Sequence, residues 1–228
     1  KFKFLPIKII ENFLHKRIRL IIANANAVKK NLIREGASDK KIKVIFNGYI
    51  KPDSVKNERY TTFKKKLGIK KNGFVFLVLA NLIPYKNHKL VIEATESLSN
   101  LIQKEFKIIF LGSGKDDYLK YLKNLTRNKK IQKYFSFIKK TEHTHNFFKI
   151  TDVGISSSFE EGLSNSLIEF ISYGIPTIAT KVGGSAEITN NKNGFLIENN
   201  NRDELVNAMK ISMLNKKLLR RKAIKSRE

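Results

Sequence analysis

From Gly73 onward, short apolar runs rich in Val, Ile and Phe alternate with segments whose apolar residues recur at helical spacing. The strand candidates are 74–80 (FVFLVLA), 107–111, 134–138, 153–157, 176–180 (PTIAT) and 195–197. Helices are expected over 87–99, 115–128, 163–173, 183–189 and 202–225. Strands that are apolar on both sides and separated by helices predict a parallel sheet covered on both faces. That is an α/β fold, a Rossmann-like doubly wound domain spanning 73–228. Such sheets bind ligands beyond the carboxyl ends of their strands. Chemistry is therefore expected at Asn81 to Asn87, Gly112 to Lys115, Ile138 to Thr141, Ser158 to Asn165 and Lys181 to Glu187.

The preceding residues read differently. Residues 1–18 carry Ile9, Ile10, Phe13, Leu14 and Ile18 near helical spacing, predicting a basic amphipathic helix. It suits an anionic membrane surface, or packing onto another domain. A short strand at Arg19 to Ala25, a helix at Ala27 to Arg34 and a strand at Lys43 to Phe46 follow, before an Asn47-Gly48 turn. Residues 51–72 are polar and lysine-rich, as in a linker carrying a short helix.

Lys and Arg number 45 against 20 acidic residues, a net charge of +25. Nucleic acid, an anionic membrane or an acidic small molecule would each suit that balance, as would lysines spread over solvated faces. No aromatic-interleaved basic motif or zinc-finger spacing accompanies it, so no nucleic-acid partner is expected. The absence of cysteine excludes disulfides and thiolate metal sites. No apolar stretch is long enough to span a bilayer, and Lys8, Lys16, Arg17 and Arg19 interrupt any secretory leader. A cytoplasmic location is expected.

The stretch Ser158-Phe159-Glu160-Glu161-Gly162-Leu163-Ser164-Asn165-Ser166-Leu167-Ile168-Glu169 runs from a strand into a helix. Glu161 falls in the loop, and Glu169 is expected about two turns into the helix. Gly162 allows close backbone approach. Free amides at the helix start, near Leu163 to Asn165, favour a phosphate. Carboxylates grip sugar or ribose hydroxyls, so the combination suits a ligand carrying both groups. Two glutamates alone are more commonly explained by a solvated helix face.

The wider segment SSSFEEGLSNSLIEFISYGIPTIATKVGGSAEI resembles the donor-site motif of family 4 glycosyltransferases, retaining enzymes of the GT-B fold. The matching elements are Glu161 and Glu169, Gly174-Ile175-Pro176, and Gly183-Gly184-Ser185-Ala186-Glu187. Ala80 to Asn87 is similar to that family's Gly-Arg-Leu…Lys-Gly stretch, Leu111 to Gly114 to its Gly-x-Gly, and Lys43 to Gly48 to its Val-Ile-Pro-Asn-Gly. The resemblance runs from about residue 20 to the end of the chain.

The resemblance implies a nucleotide-diphosphate sugar as donor, no cofactor and no metal, and a glycan or lipid-linked acceptor. Glu161 would face the transferred sugar, Glu169 would bind ribose hydroxyls, and Lys86 would neutralise the diphosphate. Amides at Gly162, Leu163, Ser164 and Asn165 would assist it. Ile138 and Lys139 would line the base pocket, beside Gly112. Asn81 stands where the family carries arginine, losing a charge-assisted contact of about 1.5–3 kcal/mol. Asn87 replaces a glycine and tolerates a left-handed backbone.

Residues 1–50 would then be a remnant of an acceptor-binding domain, with most of that domain and the end of the last helix missing. An inactive fragment, or the donor-binding subunit of a split glycosyltransferase whose partner chain supplies the acceptor domain, is the alternative, and a basic nucleic-acid-binding protein a distant third. The Glu-Gly-Leu-Ser-Asn-Ser variant resembles enzymes of bacterial surface polysaccharide synthesis, and the positive charge would fit the inner membrane face. Gly112-Ser113-Gly114 lacks the third glycine of a dinucleotide site. His143 and His145 are expected in a surface loop and His88 at a solvated helix start. Glu187 is expected either to cap a helix or to reach the donor.

Overall fold

The computed structural model describes residues 10, 11, 13–15, 17–50, 60–139 and 144–226. Residues 10, 11, 13–15 and 17 are helical; the rest of the amphipathic helix expected over 1–18, Ile18 excepted, lies outside the described residues, as do 51–59 of the expected linker.

Strands β1 (Ile21–Ala23) and β2 (Ile42–Val44) pair in parallel around helix α1 (Asn26–Arg34). Helix α2 (Tyr60–Lys66) follows, and then the regular alternation begins. It comprises β3 (Phe74–Leu79), α3 (His88–Leu101), β4 (Phe106–Leu111), α4 (Asp116–Asn128) and β5 (Phe135–Ile138). The second half contains α5 (Thr144–Ile150), β6 (Val153–Ser156), α6 (Asn165–Ser172) and β7 (Thr177–Thr180). It ends with α7 (Ser185–Ile188), β8 (Gly194–Ile197), α8 (Arg202–Leu214) and α9 (Lys216–Lys225).

The six later strands form one wholly parallel sheet in the order β5-β4-β3-β6-β7-β8. Renumbered within the sheet this is the Rossmann order 3-2-1-4-5-6, which reverses direction between β3 and β6. Successive β3 residues serve opposite faces, as the period of a strand requires. Phe76 and Val78 pack with Leu90, Leu98, Phe110 and Met209 on one side. Val75 and Leu77 pack with Phe147, Leu167 and Phe170 on the other. The doubly wound expectation is met.

Three local findings differ from the sequence reading. Helix α5 occupies a stretch to which no element was assigned. Its Phe147, Phe148 and Ile150 are nearly consecutive and show no helical period over so short a run, yet all three are buried. The single helix expected over 202–225 breaks at Asn215, whose side chain accepts the Leu218 amide at 2.9 Å and so caps α9. Residues 60–72 fold back onto the sheet: Phe63 meets Phe147 edge to face at 5.0 Å, and the buried Lys64 ammonium donates to the Gly73 carbonyl at 2.8 Å.

Candidate functional site

Where the strand order reverses, the loops after β3 and β6 diverge and leave a crevice. Their facing backbones are stitched together. The Ser157 hydroxyl donates to the Lys86 and Asn87 carbonyls at 3.0 and 3.1 Å, and the Phe159 amide donates to the Tyr85 carbonyl at 2.8 Å. Thr180 from β7 anchors the Ser158 carbonyl at 2.7 Å. Asn87 adopts the expected left-handed conformation (φ 51°, ψ 44°), and its side chain accepts the Leu90 amide to start α3.

This scaffold brings Lys86 and Glu161 together across the reversal point, 2.5 Å apart with side chains only 17% and 13% exposed. The Ser158 hydroxyl donates to the same carboxylate oxygen at 3.0 Å. On the far side of Glu161, Gly183 holds a positive φ of 48°, and a Cβ there would run into the Glu161 carbonyl oxygen. The glycine pair of the Gly-Gly-x-x-Glu segment thus lets its loop close over Glu161, and the Gly184 amide donates to the Gly162 carbonyl at 2.7 Å.

Helix α6 begins at Asn165, and Ser164 makes no side-chain cap. The first intrahelical bond runs from the Ile168 amide to the Ser164 carbonyl, so the amides of Asn165, Ser166 and Leu167 have no backbone acceptor among the described residues. The Leu163 and Ser164 amides, in the loop just before the helix, likewise have no backbone acceptor among the described residues. Glu169 sits just over one turn into the helix rather than two, because Leu163 and Ser164 belong to the loop.

A cleft of about 250 Å³ gathers Asn81, Lys86, Gly112, Glu161, Leu163, Ser164, Asn165 and Glu169. The other expected residues stand apart from it. Gly162 lines a neighbouring, larger cleft of about 1030 Å³ with Tyr85, Phe159 and Val28. Ile138 turns its side chain into the core, and its carbonyl accepts the Gly112 amide at 3.0 Å. Lys139 is exposed at the end of β5. Gly112 also has a packing reason: a Cβ there would strike the Ala80 carbonyl.

Some residues behave otherwise than expected, and others went unnoticed. His88 is fully buried, ring against Phe110 at 4.9 Å, because the left-handed turn at Asn87 directs it into the core. Burial, with help from the Lys86 charge, pushes its imidazole down to about 4. His145 is buried in α5 rather than in a surface loop, while His143 lies outside the described residues. Glu187 caps α1: its carboxylate accepts the Asn26 and Ala27 amides at 3.0 and 2.8 Å and the Asn26 side chain at 2.8 Å. Sequence reasoning missed Ser158 as the partner of Glu161. It also assigned no role to Asn47, whose amide donates to the Asn165 side chain at 2.8 Å. Next to Asn47, Tyr49 lines a recess with Glu169. Burial pushes the Tyr49 hydroxyl up, and so do its hydrogen bond to Tyr173 and the Glu169 charge. The Asn47-Gly48 turn was the available signal for that recess.

Residues 59–228 match the family described as glycosyl transferases group 1. The chain is 32% identical over 208 residues to UDP-Gal:alpha-D-GlcNAc-diphosphoundecaprenol alpha-1,3-galactosyltransferase of Escherichia coli, covering 89% of this chain and 53% of that protein. It spans about half or less of the curated relatives it matches. In structure it resembles a glycosyltransferase of Rickettsia africae, with TM-score 0.85 and 24% identity, over 99% of this chain and 62% of that one. It also resembles Anabaena Alr3699/HepE solved with UDP and glucose, with TM-score 0.86 and 22% identity, over 99% and 62%. By fold these are GT-B neighbours. The chain belongs to the glycosyl transferases group 1 family.

Proposed function

We propose that this chain forms the donor half of a retaining family 4 glycosyltransferase, moving a sugar from a nucleotide diphosphate to a glycan or lipid-linked acceptor. The observation that carries the reading is the Lys86–Glu161 pair at the reversal point, facing the free amides of α6 and Glu169 in one cleft. A diphosphate entering that cleft competes with Glu161 for the Lys86 ammonium and meets the helix amides. Released from Lys86, the Glu161 carboxylate accepts hydroxyls of the transferred sugar and faces the positive charge that develops at the anomeric carbon. Glu169 accepts the ribose hydroxyls. Asn81 gives a neutral contact where the family carries arginine, which weakens donor binding.

Catalysis then consists of positioning and electrostatic stabilisation of the leaving diphosphate, without metal. The galactosyltransferase relative, named for UDP-Gal and a diphosphoundecaprenol-linked acceptor, supports a nucleotide-sugar donor and a lipid-linked acceptor; a role in surface polysaccharide synthesis at the inner membrane face is part of the proposal. No helix among the described residues is long and apolar enough to cross a membrane.

The reading includes a separate acceptor-binding unit. Parallel strands are stable when both faces are covered, and two alone are marginal. On and beside β1 and β2, however, Leu20, Ile22, Ile45 and Phe46 are half or more exposed. An acceptor-binding unit that covers them accounts for this apolar surface.

Calorimetric titration with UDP, GDP and several UDP-sugars, in the absence of metal, tests the reading. Saturable binding to one nucleotide, weakened at least about tenfold by Glu169→Ala, is the expected result. A folded chain that binds none of them, or binds one equally well after the substitution, would sink it.

A further inference from the structure

The opposite end of the sheet holds a second cavity, for which the proposed transfer has no use. At the amino ends of β3, β6 and β7, a cleft of about 840 Å³ opens between α2, α5 and α9. Cations from four separate segments line it: Lys64 of α2, Lys71 before β3, Lys149 of α5, and Lys216 and Arg220 of α9. Among the described residues Asp152 is the only carboxylate in this lining, and one of its oxygens already accepts the Val75 amide at 2.8 Å. Lys64 is fixed in the wall by its bond to the Gly73 carbonyl. Lys71 and Arg220 have no ion-pair partner among the described residues, and Lys216 acts on the Asp152 carboxylate through its charge without a direct ion pair.

Like charges brought into one concavity repel each other, and the low-dielectric walls strengthen the field they jointly produce. Part of the wall is aromatic, with Phe148 and Tyr173 stacked at 4.5 Å. The volume lies within the roughly 300–1,000 Å³ of small-molecule sites. A concave cleft suits a compact anion better than a membrane, which favours a projecting apolar face. The six residues of β3, at about 3.3 Å each, put about 20 Å between this cleft and Lys86, so one donor molecule cannot occupy both.

We propose that this cleft binds a small molecule carrying a di- or polyphosphate, held by Lys71, Lys149, Lys216 and Arg220, at a site separate from the donor cleft. The probe is inorganic pyrophosphate, titrated calorimetrically into the whole chain at physiological salt. There a Debye length of about 8 Å screens the dispersed surface charge. Saturable binding is expected to survive Lys86→Met and to weaken about tenfold or more in Lys216→Ala/Arg220→Ala. The pair Lys104→Ala/Lys120→Ala, which removes the same charge elsewhere, should leave it unchanged. Lys71→Ala, on a different segment, repeats the test should the α9 pair unfold the chain.

Three results would overturn the proposal. The first is no saturable binding. The second is equal loss in the control pair, or loss in Lys86→Met alone. The third is sedimentation with phosphatidylglycerol vesicles that requires Lys216 and Arg220 and that pyrophosphate does not displace, since this would make the face a membrane contact.

Discussion

Asn87 turns the chain with a left-handed backbone, so two neighbouring side chains part company: Lys86 enters the cleft and His88 enters the core. The cost of that arrangement falls on His88, whose ring nitrogens find no hydrogen-bond partner. Burial first, and the Lys86 charge second, hold its imidazole near 4 against an ordinary value of 6.5. Between those two values the unfolded chain binds a proton that the folded chain refuses. The stability is therefore fully present above pH 6.5 and is lost as pH falls toward 4, by about 3 kcal/mol for a shift of this size. Denaturant midpoints measured from pH 7 to pH 4 should fall accordingly. In His88→Leu the same series should be flatter; an identical slope would mean that other groups carry the acid sensitivity.

At the scale of elements, Glu187 is one of the connections between the amino-terminal segment and the large-sheet domain, beside the Asn47–Asn165 hydrogen bond. Burial alone would raise its carboxyl. The hydrogen bonds from Ala27 and Asn26, together with the Lys30 charge, outweigh it and hold the group below its ordinary range. Because α1 has no side-chain cap of its own, a residue 160 positions away satisfies its first amides. Glu187→Ala should cost about 1–2 kcal/mol, the usual worth of a helix cap. The loss should be local, with hydrogen exchange quickening over 26–30 while β3 and β4 amides stay protected. A uniform change across the sheet would contradict this linking role.

For the molecule as a whole, binding at the reversal point should appear as stability. A nucleotide present at a hundred times its Kd adds about 2.7 kcal/mol. For a chain of this size each kcal/mol moves the melting temperature by about 2–4 °C. UDP, if it is the recognised nucleotide, should therefore raise Tm by about 5–10 °C. Lys86→Met should show most of that rise abolished relative to its own ligand-free melt. A full rise in the variant would remove Lys86 from the diphosphate site.

The local pattern already specified much of this. The alternation after Gly73 determined a parallel sheet covered on both faces, because only strands buried on both sides are apolar throughout. An asparagine in place of glycine announced the left-handed turn at residue 87, since few other side chains tolerate it. The ordered motifs around Glu161, Glu169 and Gly183 pointed to the family. Periodicity, however, reports which face of an element is buried and says nothing of what lies opposite. The pairing of Lys86 with Glu161, 75 residues apart, became visible only once β3 and β6 lay side by side. The same holds for Glu187 choosing a helix cap and for His88 leaving the surface. It holds too for five dispersed cations meeting at the amino ends of the strands. Each of these depends on the strand order, which the tertiary packing of the helices decides and no local run of residues records.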